Sequence, residues 1–144
     1  MRTRRTAAVT ALVVLGGTLL AVPAAAEEFT PFRATPNRTT APQWSPVVIT
    51  GRTAATSQIP GPVFPGPGNV LCVYRYAGGG DWRLLDICTT VRADRRFRLR
   101  AYLGITGTFT YTVGETEPDV RPGTVVDGDD MAMSDTFRIT TTRR

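Results

Sequence analysis

The sequence predicts an all-β sandwich of about seven strands, and three observations predict it. Downstream of Val47, runs of about five to nine residues rich in Val, Ile, Thr, Phe and Tyr alternate with clusters of Gly, Pro and Asp. Within the runs, apolar and polar residues alternate, as strands with one buried and one wet face require. No stretch outside the N-terminal segment carries a helical period. Short strands at close spacing, with no helices between them, pack as two antiparallel sheets over one core.

The chain opens MRTRRTAAVTALVVLGGTLLAVPAAA. Arg2, Arg4 and Arg5 form a basic leader, residues 7–22 an apolar stretch, and Ala24-Ala25-Ala26 a small-residue cleavage site. This is the anatomy of a secretory signal peptide, a signal helix cleaved after Ala26, and it predicts a secreted protein. The competing reading is a membrane anchor. The apolar run is short and rich in Gly and Ala, whereas a spanning helix needs roughly 20 apolar residues. The Arg4-Arg5 pair leaves the twin-arginine export route open beside the general one. No cysteine follows Ala26 to take a lipid until Cys72, and the ending TTTRR has no apolar tail. No membrane span is expected in the mature chain.

Residues 27–46, EEFTPFRATPNRTTAPQWSP, are rich in Thr and Pro without a sustained period and read as a flexible extension. Residues 47–144 read as the sandwich domain. Its first strand, VVIT, ends at Gly51. Residues 57–69 are proline-dense and cannot supply a central strand. VLCVYRYA, the turn GGGD and WRLLDICTTV make a hairpin, followed by FRLRAYL, TFTYTV and TFRITT. Alternation sets Phe97 and Leu99 on one face and Arg96, Arg98 and Arg100 on the other. Likewise Phe109, Tyr111 and Val113 oppose Thr108, Thr110 and Thr112.

Both cysteines lie in the hairpin. Placing the strands symmetrically about Gly80 sets Val73 opposite Ile87, Arg75 opposite Leu85, Tyr74 opposite Asp86 and Cys72 opposite Cys88. Cross-strand Cβ atoms are about 4.5–5.5 Å apart, close enough for modest twisting to allow a bond. An even pair of cysteines in an exported chain reads as a structural disulfide, here on the outer surface. A redox centre favours a C-x-x-C with a depressed thiol pKa, and a metal site would need two more soft ligands. A pair of free thiols is the remaining alternative.

Composition narrows the chemistry. Every basic residue is Arg, and the chain has no His. That removes the commonest general base, the Ser-His-Asp and Cys-His nucleophile systems, and zinc sites other than all-Cys ones. After Ala26, fourteen arginines stand against twelve acidic residues, a net charge of +2. Such a balance makes no case for a nucleic-acid partner.

The series ITGR, VLCVYRYAGGGDWRLL, TTVRADRRFRLRAYLG and TGTFTYTV resembles the immunoglobulin-like β-sandwich domains of actinobacterial secreted and surface proteins. The matching places are Gly51, Trp82, the turn Ala93-Asp94-Arg95-Arg96-Phe97, and Gly107-Thr108-Phe109-Thr110-Tyr111. Such domains carry Gly where this chain has Arg95. The resemblance implies an immunoglobulin-like sandwich serving as a spacer or adhesion module, and it transfers no catalytic residue.

Three constellations are candidates for function. The acid-rich stretch 114–130 includes Asp127-Gly128-Asp129-Asp130, hard oxygen donors of the kind calcium takes. It lacks the fixed ligand order of an EF-hand, and a solvated loop is the plainer reading. A glycosidase-type carboxylate pair there would also need a cleft with aromatic platforms. Second, Arg96, Arg98 and Arg100 form an outward basic stripe able to meet an anionic cell-wall polymer, or simply a solvated face. Third, Phe64 stands among prolines in IPGPVFPGPG, either as a recognition tip for an extracellular protein or folded over the sandwich end. Trp82 and Arg75 are expected to stack near the hairpin tip. The sequence thus predicts a secreted, non-enzymatic domain with a structural or binding role. No catalytic residue, cofactor or metal site is assigned. The alternative is a ligand-binding or inhibitor module using the Pro-rich loop or the Arg-rich face.

Overall fold

The computed structural model describes residues 9–15, 18–24, 32–54 and 65–144, the first two stretches by their backbone alone. Strands make the architecture, with one 3₁₀ turn at Gly128–Asp130. Near the N-terminus, β1 (Val9–Leu15) and β2 (Thr18–Ala24) pair as an antiparallel ribbon. A signal helix is expected there from the sequence. Val9, Thr10, Val13 and Val14 favour strand over helix in β1, and Pro23 in β2 would break a helix interior.

The remaining strands form a sandwich of two sheets. The larger has the order β10-β7-β6-β9-β11-β4 and the smaller β3-β5-β8. Their ranges are β3 Arg33–Pro36, β4 Thr40–Pro42, β5 Pro46–Arg52, β6 Val70–Gly78, β7 Asp81–Thr90, β8 Arg96–Tyr102, β9 Gly107–Glu115, β10 Val125–Asp127 and β11 Phe137–Thr142. Among the described residues the sandwich therefore has nine strands, where about seven are expected from the sequence. The unexpected ones are β3, β4 and β10, of four, three and three residues. So short a strand shows no period in sequence and exists only through its neighbours. Residues 32–46 are accordingly part of the sandwich, not of a flexible extension. Phe32, Ala34 and Ala41 are buried, and the Phe32 ring meets Phe97 edge-on at 5.7 Å. β5 runs between β3 and β8 only because position 51 is Gly: a Cβ there would collide with the Arg33 carbonyl and the Phe97 ring.

Two apolar clusters flank β6. Leu71 and Val73 point between the sheets, where they meet Val47, Ile49, Phe97, Leu99, Tyr111, Val113 and Ile139. Cys72 and Tyr74 point the other way, into a cluster with Trp82, Leu84 and Met131. Val120, Val126 and Met133 close this second cluster from outside. The Tyr74 hydroxyl shares a buried 2.8 Å hydrogen bond with Thr116, and burial pushes its pKa up. All four residues from Leu71 to Tyr74 are at most 2% exposed, so this half of β6 is buried on both faces, while Tyr76 to Gly78 are exposed.

The disulfide Cys72–Cys88 is formed, with the two residues directly opposite in the β6–β7 ladder. It lies on the face turned away from the inter-sheet core, as the register arithmetic predicts, but Cys72 itself is covered by the second cluster. Nearer the turn the predicted partners are wrong. Gly78 pairs Asp81 across Gly79-Gly80, both at positive φ, as a two-residue hairpin turn of this hand demands. Tyr74 then pairs Leu84 and Arg75 pairs Arg83, and the ladder shifts by two before Cys72. The extra residues, within Leu85-Asp86-Ile87, bulge opposite Val73. An even shift preserves the faces, so Leu85 and Ile87 still pack on the main core. Trp82 meets Tyr76 edge-on at 5.1 Å, while the Arg75 guanidinium lies 5.3 Å over Phe109. The expected Trp82–Arg75 stack is thus replaced by two separate contacts.

Two predictions follow from this frame. Cys72→Ala/Cys88→Ala should lower unfolding free energy by about 2–5 kcal/mol, measured by urea denaturation; unchanged stability would contradict the staple. Arg95 holds φ 65° in the β7–β8 turn, a left-handed conformation costing roughly 1–2 kcal/mol for a residue with a Cβ. Arg95→Gly should therefore raise stability by about 0.5–1 kcal/mol after the added glycine entropy, and a fall would show that the Arg95 side chain matters more than its backbone.

Candidate functional site

The outer face of the three-stranded sheet is built by simple alternation. Along β8, Phe97, Leu99 and Ala101 are buried while Arg96, Arg98, Arg100 and Tyr102 are exposed. The predicted stripe is therefore present, about 7 Å between successive arginines. The register adds what β8 alone does not show. Arg33 of β3 pairs Arg52 of β5, and Arg52 pairs Arg96 of β8. All three are exposed, so they form a row across the sheet, one strand spacing of about 4.7–4.9 Å apart. The next row out is Thr35, Thr50 and Arg98, and Val48 pairs Arg100.

Five arginines thus share one sheet face. Asp94 approaches Arg96 at 4.0 Å, with both side chains more than half exposed, so water and salt screen the pair and it contributes little. Asp135, at the β3 edge, accepts a 2.9 Å hydrogen bond from the Ala34 amide. Like charges directly opposite across a ladder are destabilising, and all five lie within about one Debye length of a neighbour. The sheet carries this because its other face is Val47, Ile49, Phe97, Leu99 and Ala101, each at most 2% exposed. Arg100 also spreads over the Tyr102 ring at 5.8 Å.

Six of the described acids lie on the other side of the sandwich. Glu115 ends β9, and the segment that follows, which covers the outer face of the six-stranded sheet through Val120, Val126 and Met131, carries Glu117, Asp119, Asp127, Asp129 and Asp130 together with Arg121. Partial burial, then the neighbouring Glu117, raises the Glu115 pKa, and its carboxylate accepts from Asn69 at 3.0 Å. Asp127 uses its carboxylate to cap the 3₁₀ turn, accepting from the Asp129 amide at 2.9 Å. Among the described residues no three acidic or Cys side chains converge as metal ligands. The cover of the large sheet is thus mainly acidic, although Arg121 lies in it and Arg138 is exposed on β11, while Asp94 and Asp135 border the arginine face.

A cleft of about 420 Å³ opens at the end of the sandwich beside Tyr102. Trp44, Tyr102 and Ile105 form its mouth, each about half exposed. Trp44 sits at φ 60°, rare for a bulky residue and costing roughly 1–2 kcal/mol. It is held there by its amide, which donates to the Leu103 carbonyl at 2.9 Å, and by Gln43, which donates to the Gly104 carbonyl at 2.7 Å. The indole lies so close over Gly104 that a Cβ there would overlap it. The half-buried Arg75 and Leu85, the buried Tyr111 and the exposed Asp86 also line the cleft. Burial raises the Tyr111 pKa, and the Arg75 charge works against that rise.

Of the candidates from sequence, Arg96, Arg98 and Arg100 come together, and Cys72 and Cys88 are joined. Phe64 lies outside the described residues. Arg33, Arg52 and Trp44 were not legible as site residues. The first two join the face only through strand pairing between distant segments, and Trp44 only through its backbone conformation.

If the arginine row is strained by its own charge, Arg52→Thr should raise stability by about 0.2–1 kcal/mol at low salt, with the gain shrinking as salt approaches about 1 M. Thermal melts across a salt series check this; a loss at low salt contradicts it. No protein-family model matches the chain, and no curated protein shows significant similarity to it.

Proposed function

We propose that the protein is a secreted, non-enzymatic domain of immunoglobulin-like type that binds an anionic cell-wall polymer through Arg33, Arg52, Arg96, Arg98 and Arg100. The observation that carries this reading is the cross-strand row Arg33–Arg52–Arg96, extended along β8 by Arg98 and Arg100. Like charges aligned on a rigid sheet repel one another until an anion lies across them. Guanidinium groups suit the task, since each presents a planar fork to carboxylate or phosphate oxygens. A linear polyanion crossing the three strands would meet several such forks at once.

Several features support the setting. The leader with Arg2, Arg4, Arg5 and the Ala24-Ala25-Ala26 site fits export with cleavage after Ala26. The Cys72–Cys88 disulfide is compatible with an extracellular location. No helix among the described residues is long and apolar enough to cross a membrane. The acid-rich cover of the large sheet disfavours a polyanion on that side, which helps orient the domain on its support.

Retention on purified cell wall tests the proposal. Binding should weaken steeply as salt rises from about 50 to 500 mM. The triple variant Arg52→Thr/Arg96→Thr/Arg98→Thr should lose at least about tenfold in affinity. Salt-insensitive retention, or equal retention of the variant, contradicts the proposal.

A further inference from the structure

The cleft at the sandwich end is separate from the arginine face and has its own chemistry. Its volume, about 420 Å³, is in the range of small-molecule sites, roughly 300–1,000 Å³. The wall is mostly aliphatic and aromatic: Leu85, Ile87 and Tyr111 from the large sheet face Trp44, Tyr102 and Ile105 at the mouth. Two charged residues line it, Arg75 and Asp86. Arg75 is half-buried on β6, and its guanidinium rests over the Phe109 ring. Among the described residues no carboxylate comes within 4.0 Å of it. A partly desolvated cation facing a cleft without a bonded anion favours an incoming one.

The mouth is pre-built. Trp44, Tyr102 and Ile105 are three of the five exposed large hydrophobic residues among those described, and they gather at this one opening. Concentrated apolar exposure around a concavity marks a site more than scattered exposure does. Trp44 is fixed in a left-handed backbone conformation with its indole packed against Gly104, and strain of this kind clusters at ligand clamps.

We propose that the cleft binds a monocarboxylate with a flat or branched apolar body, the carboxylate meeting Arg75 and the body lying between Trp44 and Leu85. A guanidinium pairs a carboxylate through two parallel N–H donors. Asp86 on the same wall disfavours a second negative charge, so a dianion such as a phosphomonoester fits less well. The same chemistry comes either from a free small acid or from the C-terminus of a peptide ending in an apolar residue.

The chain has two tryptophans, Trp44 exposed and Trp82 buried, so quenching of exposed-tryptophan emission reports on the mouth. Phenylacetate should quench saturably, with phenylacetamide at least about tenfold weaker for want of the charge. Acetyl-Gly-Gly-Phe and its C-terminal amide make the second arm. Tighter binding of the peptide acid than of phenylacetate assigns the ligand to peptide ends, and the reverse assigns it to free acids. Arg75→Gln should erase the preference for acid over amide. Gly104→Ala, which displaces the indole, should weaken both acids by about tenfold or more while the melt remains cooperative. Equal affinity for phenylacetate and phenylacetamide in the unaltered protein, or no saturable quench by either acid up to about 20 mM, overturns the proposal whatever the variants do.

Discussion

The structure depends on the first half of β6, Leu71 to Tyr74, being buried on both faces. A strand in a two-layer sandwich ordinarily has one wet face, yet Leu71, Cys72, Val73 and Tyr74 are all closed off from water. One side is the inter-sheet core. The other is a second layer laid down by residues 116–133, with Met131, Val120 and Val126 over Tyr74 and Trp82. The disulfide pins the same strand to β7 at Cys72. A central strand held from both sides and by a covalent bond fixes the register of the larger sheet, and through Val73 and Leu71 it seats Ile49 and Leu99 of the smaller one.

That constraint decides which surfaces are left for function. Over β6 and β7 the outer side of the large sheet is consumed by its own cover, which carries the acids. Over β9 and β11 the outer side shows threonines and the single charge of Arg138, with Thr108 and Thr140 sharing a 2.8 Å hydrogen bond. The uncovered face with strong charge is that of β3, β5 and β8. Its arginines sit on a backbone whose inward residues are wholly buried, so the charges are spaced by strand geometry rather than by flexible loops. An electrostatic surface of this rigidity suits repeated anionic groups along a polymer better than a single small ion.

Much of the fold was legible in the sequence, and the reasons are local. Alternation along residues 96–102 and 108–113 assigned the side of each residue, although Thr112, on the side expected to be wet, is buried under Ser134. Counting back from Gly80 set the cysteines opposite each other, but that register fails nearer the turn, and it is the two-residue bulge that restores it at Cys72. What escaped was non-local. β3 and β4 are too short to show a period, and Arg33 and Arg52 belong to the site only because β5 pairs with both β3 and β8. The bulge opposite Val73 hid the true partners of Tyr74 and Arg75, although its even length left the faces intact. Trp44 carries no sequence signal at all; its left-handed backbone comes from the hydrogen bonds to Leu103 and Gly104. Arg95 stands where the resembled domains carry Gly, from which a longer or less tight turn is expected; the turn is nonetheless tight, with the Arg95 amide donating to the Arg92 carbonyl at 2.9 Å and Arg95 itself taking the left-handed conformation.

In the proposed function strand register, not net charge, makes the binding face. Chemical-shift mapping of the labelled protein during titration with an acidic polymer tests this. Shifts are expected only at the amides of β3, β5 and β8 and at the side-chain Nε groups of Arg33, Arg52, Arg96, Arg98 and Arg100. Shifts centred elsewhere, on residues 114–130 or on Arg121, Arg138 and the C-terminal arginines, would contradict it.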